Sequence, residues 1–215
     1  MKIGIIGVGN VATGLGKLWA AKGHELFFSY SRDTAKLQAS AAAVSPGAKT
    51  GTPAEAAAFA DIVVLAVPYV AVPDALRATG SLEGKILFSC VNALKPDYSG
   101  LAVGTTTSAA EEIARLALGA RVVEGLPAFA EVLHSPSRLI AGENVSVFVC
   151  GDDPAAKNMA ADLLRDAEMK VHDAGPLWAA RYIEPAMMLL VDLAYAQGMG
   201  GRVGFKLLHD ASVTQ

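Results

Sequence analysis

The sequence predicts an α/β protein with a doubly wound, mostly parallel sheet, and three observations support this prediction. Short apolar runs typical of buried strands alternate with longer runs typical of helices. The first strand turns directly into a helix through a glycine-rich segment. Of the 215 residues, 53% are hydrophobic and 18% are charged, which is enough apolar material for a substantial core.

The alternation of strands and helices continues through most of the chain. We expect strands at residues 2–7, 25–30, 48–51, 61–67, 85–90 and 120–125. We expect helices at residues 10–22, 33–43, 52–60, 70–79 and 108–118. This order is typical of a parallel sheet that is covered by helices on its faces.

Two further strands, residues 145–150 and 169–172, are expected to extend the sheet. The helix between them begins at Asp153 and Pro154, because Asp caps a helix and Pro at the first helical position needs no N–H. We therefore divide the chain into a sheet domain, residues 1–150, and a small, mainly helical C-terminal lobe, residues 151–215.

A long apolar run at residues 177–196 predicts a final helix, and Gly198-Met199-Gly200-Gly201 ends it. A helix that is apolar on most faces around its middle must be buried. Burial within its own subunit and burial across a homodimer interface both remain open.

Composition and charge exclude several classes of protein. The net charge of -3 and the isoelectric point near 5.8 give no basic field for nucleic acid. Residues 185–195 are apolar but contain Asp192 and are too short to cross a membrane. Cys90 and Cys150 each end a strand-like run and have neither disulfide nor metal-ligand spacing, which favours a cytoplasmic protein without a metal site.

The glycine-rich segment reads Gly7-Val8-Gly9-Asn10-Val11-Ala12 and has the context of a dinucleotide-binding turn. Gly7 permits the tight turn, Gly9 lets main-chain N–H groups approach a pyrophosphate, and Ala12 lets the helix pack close to the strand. The helix N-terminus then favours the anion. Residues 1–150 are therefore expected to form a Rossmann-type domain.

The residues after the second strand indicate which dinucleotide binds. An NAD-specific fold has a carboxylate there, whereas this chain has Ser31 and Arg32, with Lys36 one turn further along. A hydroxyl beside two cations suits a 2′-phosphate, which favours NADP(H). The alternative is that Arg32 and Lys36 belong only to a solvated helix start.

A second loop follows the strand at residues 61–67. Val67 and Pro68 stand at its carboxyl end, which faces the ligand crevice of a doubly wound sheet. The pair either fixes a loop over the cofactor or simply ends the strand.

The sequence gives little sign of acid–base catalysis. His24, His134, His172 and His209 have no nucleophile or carboxylate at a diagnostic spacing, so we interpret them as structural. The catalytic residues stay unassigned.

Six segments occur in the order found in one known family: Gly7 to Ala12, Ser31-Arg32 to Lys36, Ser108-Ala109-Ala110-Glu111-Glu112, Gly151-Asp152-Asp153, Asp173-Ala174-Gly175-Pro176-Leu177 and Gly198-Met199-Gly200. The chain resembles NADP oxidoreductases that depend on the deazaflavin coenzyme, factor 420. The resemblance implies hydride transfer between NADPH and a deazaflavin ring, in a cleft between the dinucleotide domain and the C-terminal lobe, and it implies a homodimer. It also implies that Gly7 to Ala12 bind the pyrophosphate and that Ser31, Arg32 and Lys36 bind the 2′-phosphate.

The chain departs from that family on the acceptor side. Pro127 and Ala128, before Phe129, stand where relatives commonly place a polar His or Asn followed by Thr. Trp178 stands where relatives often have a polar residue, and it either stacks on a flat ring or fills the lobe. Together with Met199 and Gly200, these residues are the expected acceptor side.

The expected function is an NADPH-dependent oxidoreductase that hands a hydride to a flat small-molecule acceptor. The acceptor is the deazaflavin coenzyme, a flavin, or a small carbonyl or imine compound. Because Pro127 and Ala128 lack polar groups, a non-catalytic NADP-binding sensor or regulatory module remains the alternative.

Overall fold

The computed structural model describes residues 1–210, and an eight-stranded sheet lies at its centre. The strands are β1 (Lys2–Ile6), β2 (Glu25–Ser29), β3 (Lys49–Thr50), β4 (Ile62–Leu65), β5 (Ile86–Ser89), β6 (Arg121–Gly125), β7 (Ser146–Gly151) and β8 (Lys170–Asp173). They lie side by side in the order β3-β2-β1-β4-β5-β6-β7-β8. Strands β1 to β6 are parallel, β7 is antiparallel to β6, and β8 is parallel to β7.

The helices cover both faces of this sheet. They are α1 (Asn10–Ala21), α2 (Thr34–Val44), α3 (Pro53–Phe59), α4 (Val72–Thr79), α5 (Ala109–Leu116), α6 (Ala130–Leu133), α7 (Pro154–Asp166) and α8 (Ala180–Val191). Short 3₁₀ turns at Tyr69–Ala71 and Leu177–Ala179 precede α4 and α8, and a π-helical turn, Asp192–Ala196, follows α8.

The predicted fold class is confirmed: the sheet is mostly parallel and doubly wound, with a helical C-terminal part. In the first six strands the direction in which successive strands are added reverses between β1 and β4. Doubly wound sheets bind their ligands at this topological switch point. Strand β7, which ends at Gly151, and strand β8 both join this same sheet. The division of the chain at that residue stays a prediction.

Side-chain caps start the helices where the sequence indicates them. Asp153 accepts a hydrogen bond from the Ala156 N–H at 2.7 Å, and Ser108 accepts one from the Glu111 N–H at 3.1 Å. Such bonds satisfy N–H groups that have no partner inside the helix.

Two apolar layers hold the sheet between its helices. One contains the buried Trp19 of α1, whose indole N–H donates to the Leu163 carbonyl of α7 at 2.8 Å. The other contains Ile113 of α5 and Leu87 of β5. The backbone at the sheet's carboxyl edge is therefore fixed from both sides.

The final helix differs from its prediction. The run divides into a 3₁₀ turn, α8 and a π-helical turn, and α8 is only partly buried in the single chain. Tyr182 is 69% exposed and Leu189 is 52% exposed, because they point away from the sheet. No helix within residues 1–210 is long and apolar enough to span a membrane.

Candidate functional site

A cleft of about 640 Å³ opens where the carboxyl ends of β1, β4, β5 and β6 meet. Residues that follow each of these strands line it, and the end of α8 closes it from above. The lining includes Gly9, Asn10, Val11, Ala66, Val67, Pro68, Tyr69, Asn92, Lys95, Tyr98, Leu126, Pro127, Ala128, Phe129, Glu131, Met187, Val191 and Tyr195.

The turn between β1 and α1 has room only for glycine at its first position. Gly7 has φ +124°, and a Cβ there would lie 2.2 Å from the Ala66 carbonyl oxygen. Gly9 precedes α1 without a side-chain cap, and a Cβ there would meet nothing within 4 Å. The N-terminus of this 12-residue helix therefore faces the cleft with room for an anion.

Ala12, on the buried side of α1, is 1% exposed, and Val8 and Val11 pack against the core. His134 ends α6, and its Nε2 donates to the Asn10 carbonyl oxygen at 2.8 Å. This hydrogen bond ties the acceptor-side segment to the first turn of α1.

The end of β2 presents two cations to solvent. Ser31 donates from its hydroxyl to the Asp33 carbonyl at 2.8 Å, and Asp33 caps α2 by accepting from the Lys36 N–H at 3.1 Å. The side chains of Arg32 and Lys36 are exposed and form no ion pair within residues 1–210. Their charges are free to meet an anion.

Tyr30, just before them, adopts a left-handed backbone with φ +64°. Its hydroxyl donates to the Ala71 carbonyl at 3.4 Å, so its ring spans the loops after β2 and β4. This conformation is unfavourable for a non-glycine residue. It turns the chain sharply just before Ser31 and Arg32.

An aromatic pair forms part of the opposite wall. Phe129 stacks on Tyr195 with ring centroids 5.9 Å apart, and the Tyr195 hydroxyl donates to Glu131 Oε1 at 2.9 Å. Burial and the Glu131 carboxylate raise the pKa of Tyr195 to about 12, so the phenol keeps its proton at neutral pH. Pro127 and Ala128 complete this wall as buried, largely apolar groups.

The Gly198-Met199-Gly200 segment lies behind this wall. The N–H groups of Met199 and Gly200 donate to the carbonyls of Leu193 and Ala194 at 3.1 and 2.8 Å, which ends the π-helical turn. A Cβ on Gly201 would lie 2.2 Å from the Glu131 carboxyl carbon, so the loop packs directly on Glu131.

Trp178 lies outside the cleft lining. It is 50% exposed, and its ring contacts Tyr182 edge-on at 5.8 Å. The structure thus brings Pro127, Ala128 and Phe129 to the cleft and leaves Trp178 on the surface.

Several polar lining residues were not singled out from the sequence: Tyr69, Asn92, Lys95, Tyr98, Glu131 and Tyr195. Ligands of doubly wound sheets bind at the carboxyl ends of the strands, which is why Val67 and Pro68 were predicted to line the site. The same reasoning applies to Asn92 and Lys95, because they follow strand β5 at the same edge of the sheet.

Two carboxyl groups are buried behind the cleft, and they too were missed. Glu184 of α8 is 0% exposed and accepts hydrogen bonds from the N–H groups of Ala109 and Ala110, at 2.9 and 3.1 Å, at the start of α5. Burial raises the pKa of Glu184 to about 7 despite these bonds. The signal in the sequence is a single acidic residue inside a largely apolar helix, whose other charged residue is Arg181.

Glu124 of β6 is also 0% exposed, and neither of its carboxyl oxygens has a hydrogen-bond partner in the described residues. Burial, and next the negative charge of Glu184, raise the pKa of Glu124 well above its usual value. Both causes favour the protonated form of this acid. The hydroxyl of Ser89, its register partner on β5, lowers the pKa of Glu124 in part. Among residues 1–210 no group of three metal-ligating side chains gathers here or elsewhere.

The chain is similar to known oxidoreductases in both sequence and structure. A family model described as NADP oxidoreductase, coenzyme F420-dependent, matches residues 2–93. A protein from Arthrobacter sp. FB24, provisionally described as an F420-dependent NADP-reductase, is 30% identical, and the match covers 97% of this chain and 100% of that chain with a TM-score of 0.86.

Two more distant structures share the fold. A hypothetical protein from Sinorhizobium meliloti is 24% identical over 98% of this chain and 96% of its own, with a TM-score of 0.73. A reductive aminase from Aspergillus terreus, in complex with NADPH4, cyclohexanone and allyl amine, is 21% identical over 91% of this chain and 62% of its own, with a TM-score of 0.65.

Proposed function

The chain belongs to the family of coenzyme F420-dependent NADP oxidoreductases, and we propose that it transfers a hydride between NADP(H) and a flat organic acceptor in the cleft. The observation that supports this most strongly is the juxtaposition of two walls. The uncapped N-terminus of α1 forms one, and the stacked pair of Phe129 and Tyr195 forms part of the other.

The residues present fit NADP(H). Gly7 leaves no room for a side chain, and Gly9 leaves open space before the helix N-terminus, so residues 7–12 would hold the pyrophosphate. Ser31 with the exposed cations Arg32 and Lys36 would hold the 2′-phosphate through charge-assisted hydrogen bonds. Val67 and Pro68 line the cleft beside the turn and would cover the nucleotide.

The bound nucleotide supplies or accepts the hydride. The contribution of the chain is to bind both partners, fix their relative orientation and exclude water. Tyr195 keeps its proton at neutral pH, so it would act as a hydrogen-bonding group towards the acceptor rather than as a base. Reduction of the acceptor also consumes one proton. Pro127 and Ala128 carry no acidic group, so this proton would come from solvent.

The deazaflavin coenzyme is the first candidate for the acceptor, since the family description names it as the coenzyme on which these oxidoreductases depend. A flat ring fits a wall made of Phe129, Tyr195, Pro127 and Ala128. Met199 and Gly200 would act indirectly, by packing the following loop on Glu131. A flavin, a carbonyl or an imine compound would use the same wall.

The exposed apolar face of α8 supports a homodimer, with Tyr182 and Leu189 covered by a second copy. Two free cysteines, Cys90 and Cys150, support a cytoplasmic protein. Small molecules would be its main partners.

The turnover experiment follows NADPH oxidation with a panel of acceptors: the deazaflavin coenzyme, a flavin, an imine and a carbonyl compound. The proposal expects oxidation above the rate without protein for at least one of them. Tight NADPH binding without turnover of any acceptor would instead support a non-catalytic sensor.

The acceptor wall has its own test in Tyr195→Phe, which keeps the ring stacked on Phe129 and removes the hydrogen bond to Glu131. We expect the acceptor KM to rise roughly two- to tenfold, the range for one lost hydrogen bond, with NADPH affinity unchanged. Tyr182→Phe is the matched control, because Tyr182 lies outside the cleft lining. An equal effect of both variants would exclude Tyr195 from the acceptor site.

A further inference from the structure

Two carboxyl groups, Glu124 and Glu184, are buried from solvent. Glu124 points from β6 towards the same face of the sheet as its register partners, Ser89 of β5 and Cys150 of β7. Glu184 reaches that face from α8 and holds the first N–H groups of α5. Both side chains are 0% exposed.

The surroundings can stabilise one negative charge but not two. The N–H groups at the start of α5 favour a carboxylate on Glu184. No Lys or Arg within residues 1–210 forms an ion pair with either acid. Two carboxylates can only accept hydrogen bonds, so neither could bond the other, whereas one added proton turns the pair into donor and acceptor.

Other ionisable groups near the pair do not change this balance. Tyr69, Cys90 and Cys150 are neutral at physiological pH, because burial raises the pKa of each. On α5, the Glu111 carboxylate accepts hydrogen bonds from the guanidinium of Arg181 of α8, at 2.6 and 2.8 Å. This guanidinium therefore does not neutralise either buried acid. Glu112, also on α5, is paired with Arg115.

The pair is connected to the cleft through Asn92. Its Nδ2 donates to the backbone carbonyl of Glu184 at 3.3 Å, and Asn92 itself lines the cleft. The other amide atom, Oδ1, is buried without a partner in the described residues. A shift of α8 at Glu184 therefore moves the hydrogen bond that orients a cleft side chain.

We propose that Glu124 and Glu184 hold a single proton between them, and that this acid pair positions Asn92 and the cleft-facing end of α8 for the acceptor. The effect on the acceptor rests on the proposed function. Glu124 is a positioning residue in this account, since it acts through Glu184 and does not line the cleft. Loss of the proton leaves two buried charges, which pushes α8 away from β6 and weakens acceptor binding.

The proton itself can be observed without nucleotide or acceptor. Infrared spectra of the whole chain at neutral pH should contain the C=O band of one protonated carboxylic acid. Glu124→Gln should abolish this band, because Gln keeps the shape and an N–H donor for Glu184 but cannot ionise. Glu83→Gln is the control, since Glu83 is exposed, and it should leave the band unchanged.

Acceptor kinetics then test the positioning role. In the wild type the acceptor KM should rise roughly two- to tenfold as the pH increases from about 6 to about 9, with NADPH affinity changing little. In Glu124→Gln the KM should stay near the wild-type value at low pH throughout.

Absence of the acid band from the wild-type spectrum would overturn the proposal that the two acids share a proton, and so would persistence of the band in Glu124→Gln. The wild-type spectrum tests the proposal even if the variant does not fold. An unaltered pH profile in folded Glu124→Gln would overturn the positioning role. Absence of turnover with a band that behaves as described would count against the proposed function and leave the shared proton in place.

Discussion

Gly7 and Gly9 belong to one turn but are constrained differently. At Gly7 both the backbone, with φ +124°, and the Ala66 carbonyl oxygen exclude a side chain. At Gly9 the backbone is extended, with φ -73°, and the space beyond the Cα is open. The first glycine is therefore needed to fold the turn, whereas the fold itself does not require the second, which we propose leaves room for the nucleotide.

These constraints predict that two alanine variants both weaken NADPH binding but differ in stability. Gly7→Ala should lower the free energy of unfolding by roughly 1–3 kcal/mol, the cost of one strained residue, and weaken NADPH binding as well. Gly9→Ala should keep the wild-type stability and still weaken NADPH binding. Thermal unfolding and NADPH fluorescence titration measure the two effects; full NADPH affinity in Gly9→Ala would show that the pyrophosphate lies elsewhere.

The roles of single residues were predictable where the cause is local or belongs to a known motif. The cap at Asp153 depends on a neighbour three residues away. Gly7 has a positive φ in a turn whose motif is recognisable, although the Ala66 carbonyl oxygen that also excludes a side chain lies far along the chain. Glu124 could not be interpreted in this way, because the acid that faces it comes from α8, 60 residues later in the chain. Trp178 was ambiguous for the same reason, since its exposure depends on how α8 packs.

At the scale of elements, α1 packs against both α6 and β2. A Cβ on Gly14 would lie 2.7 Å from the Leu133 Cβ of α6, and one on Gly16 would lie 2.7 Å from the Phe28 ring of β2. Both glycines allow close packing, but only Gly14 faces the segment that follows Pro127, Ala128 and Phe129.

Gly14→Ala and Gly16→Ala form a matched pair. Alanine gains roughly 0.5–1 kcal/mol over glycine inside a helix, but overpacking costs roughly 1–3 kcal/mol, so both variants should be destabilised. Only Gly14→Ala should also raise the acceptor KM, because it displaces α6. Denaturant unfolding and steady-state kinetics separate the effects; an equal rise of KM in both variants would mean that α6 does not set the acceptor wall.

The reversal at β7 shows a limit of element prediction. Alternating apolar runs predict that strands exist, but direction depends on the connection between them. Residues 126–145 contain only the four-residue α6 and an isolated bridge between Ile140 and Glu143. Without a helix long enough for a crossover, β7 returns antiparallel to β6.

At the scale of the molecule, the buried pair makes stability depend on pH in an unusual direction. The folded chain keeps a proton on Glu124 at pH values where the unfolded chain has released it, because the pKa of Glu124 is raised in the fold. The folded state then binds more protons, so this contribution to stability is complete below the unfolded pKa and is lost as the pH rises through the folded pKa. Glu111 and Asp173, whose pKa values are lowered, act in the opposite sense at acid pH.

The difference between the wild type and Glu124→Gln isolates this contribution. We expect the wild-type free energy of unfolding, relative to the variant, to fall by at least about 1 kcal/mol as the pH rises from about 5 to about 9. Urea unfolding at a series of pH values measures it. A difference that is constant with pH would show that Glu124 titrates alike in the folded and unfolded chains.

The proposed function of this protein depends above all on binding of the 2′-phosphate at the end of β2. Calorimetric titration with NADPH and NADH is the direct test of this binding. The wild type should bind NADPH more tightly than NADH. Arg32→Ala should weaken NADPH roughly ten- to hundredfold, as for a lost charge-assisted hydrogen bond, and leave NADH unchanged, while Arg165→Ala, on the exposed face of α7, should change neither. Equal losses for both nucleotides in Arg32→Ala, or no binding heat with either nucleotide in the wild type, would contradict the account.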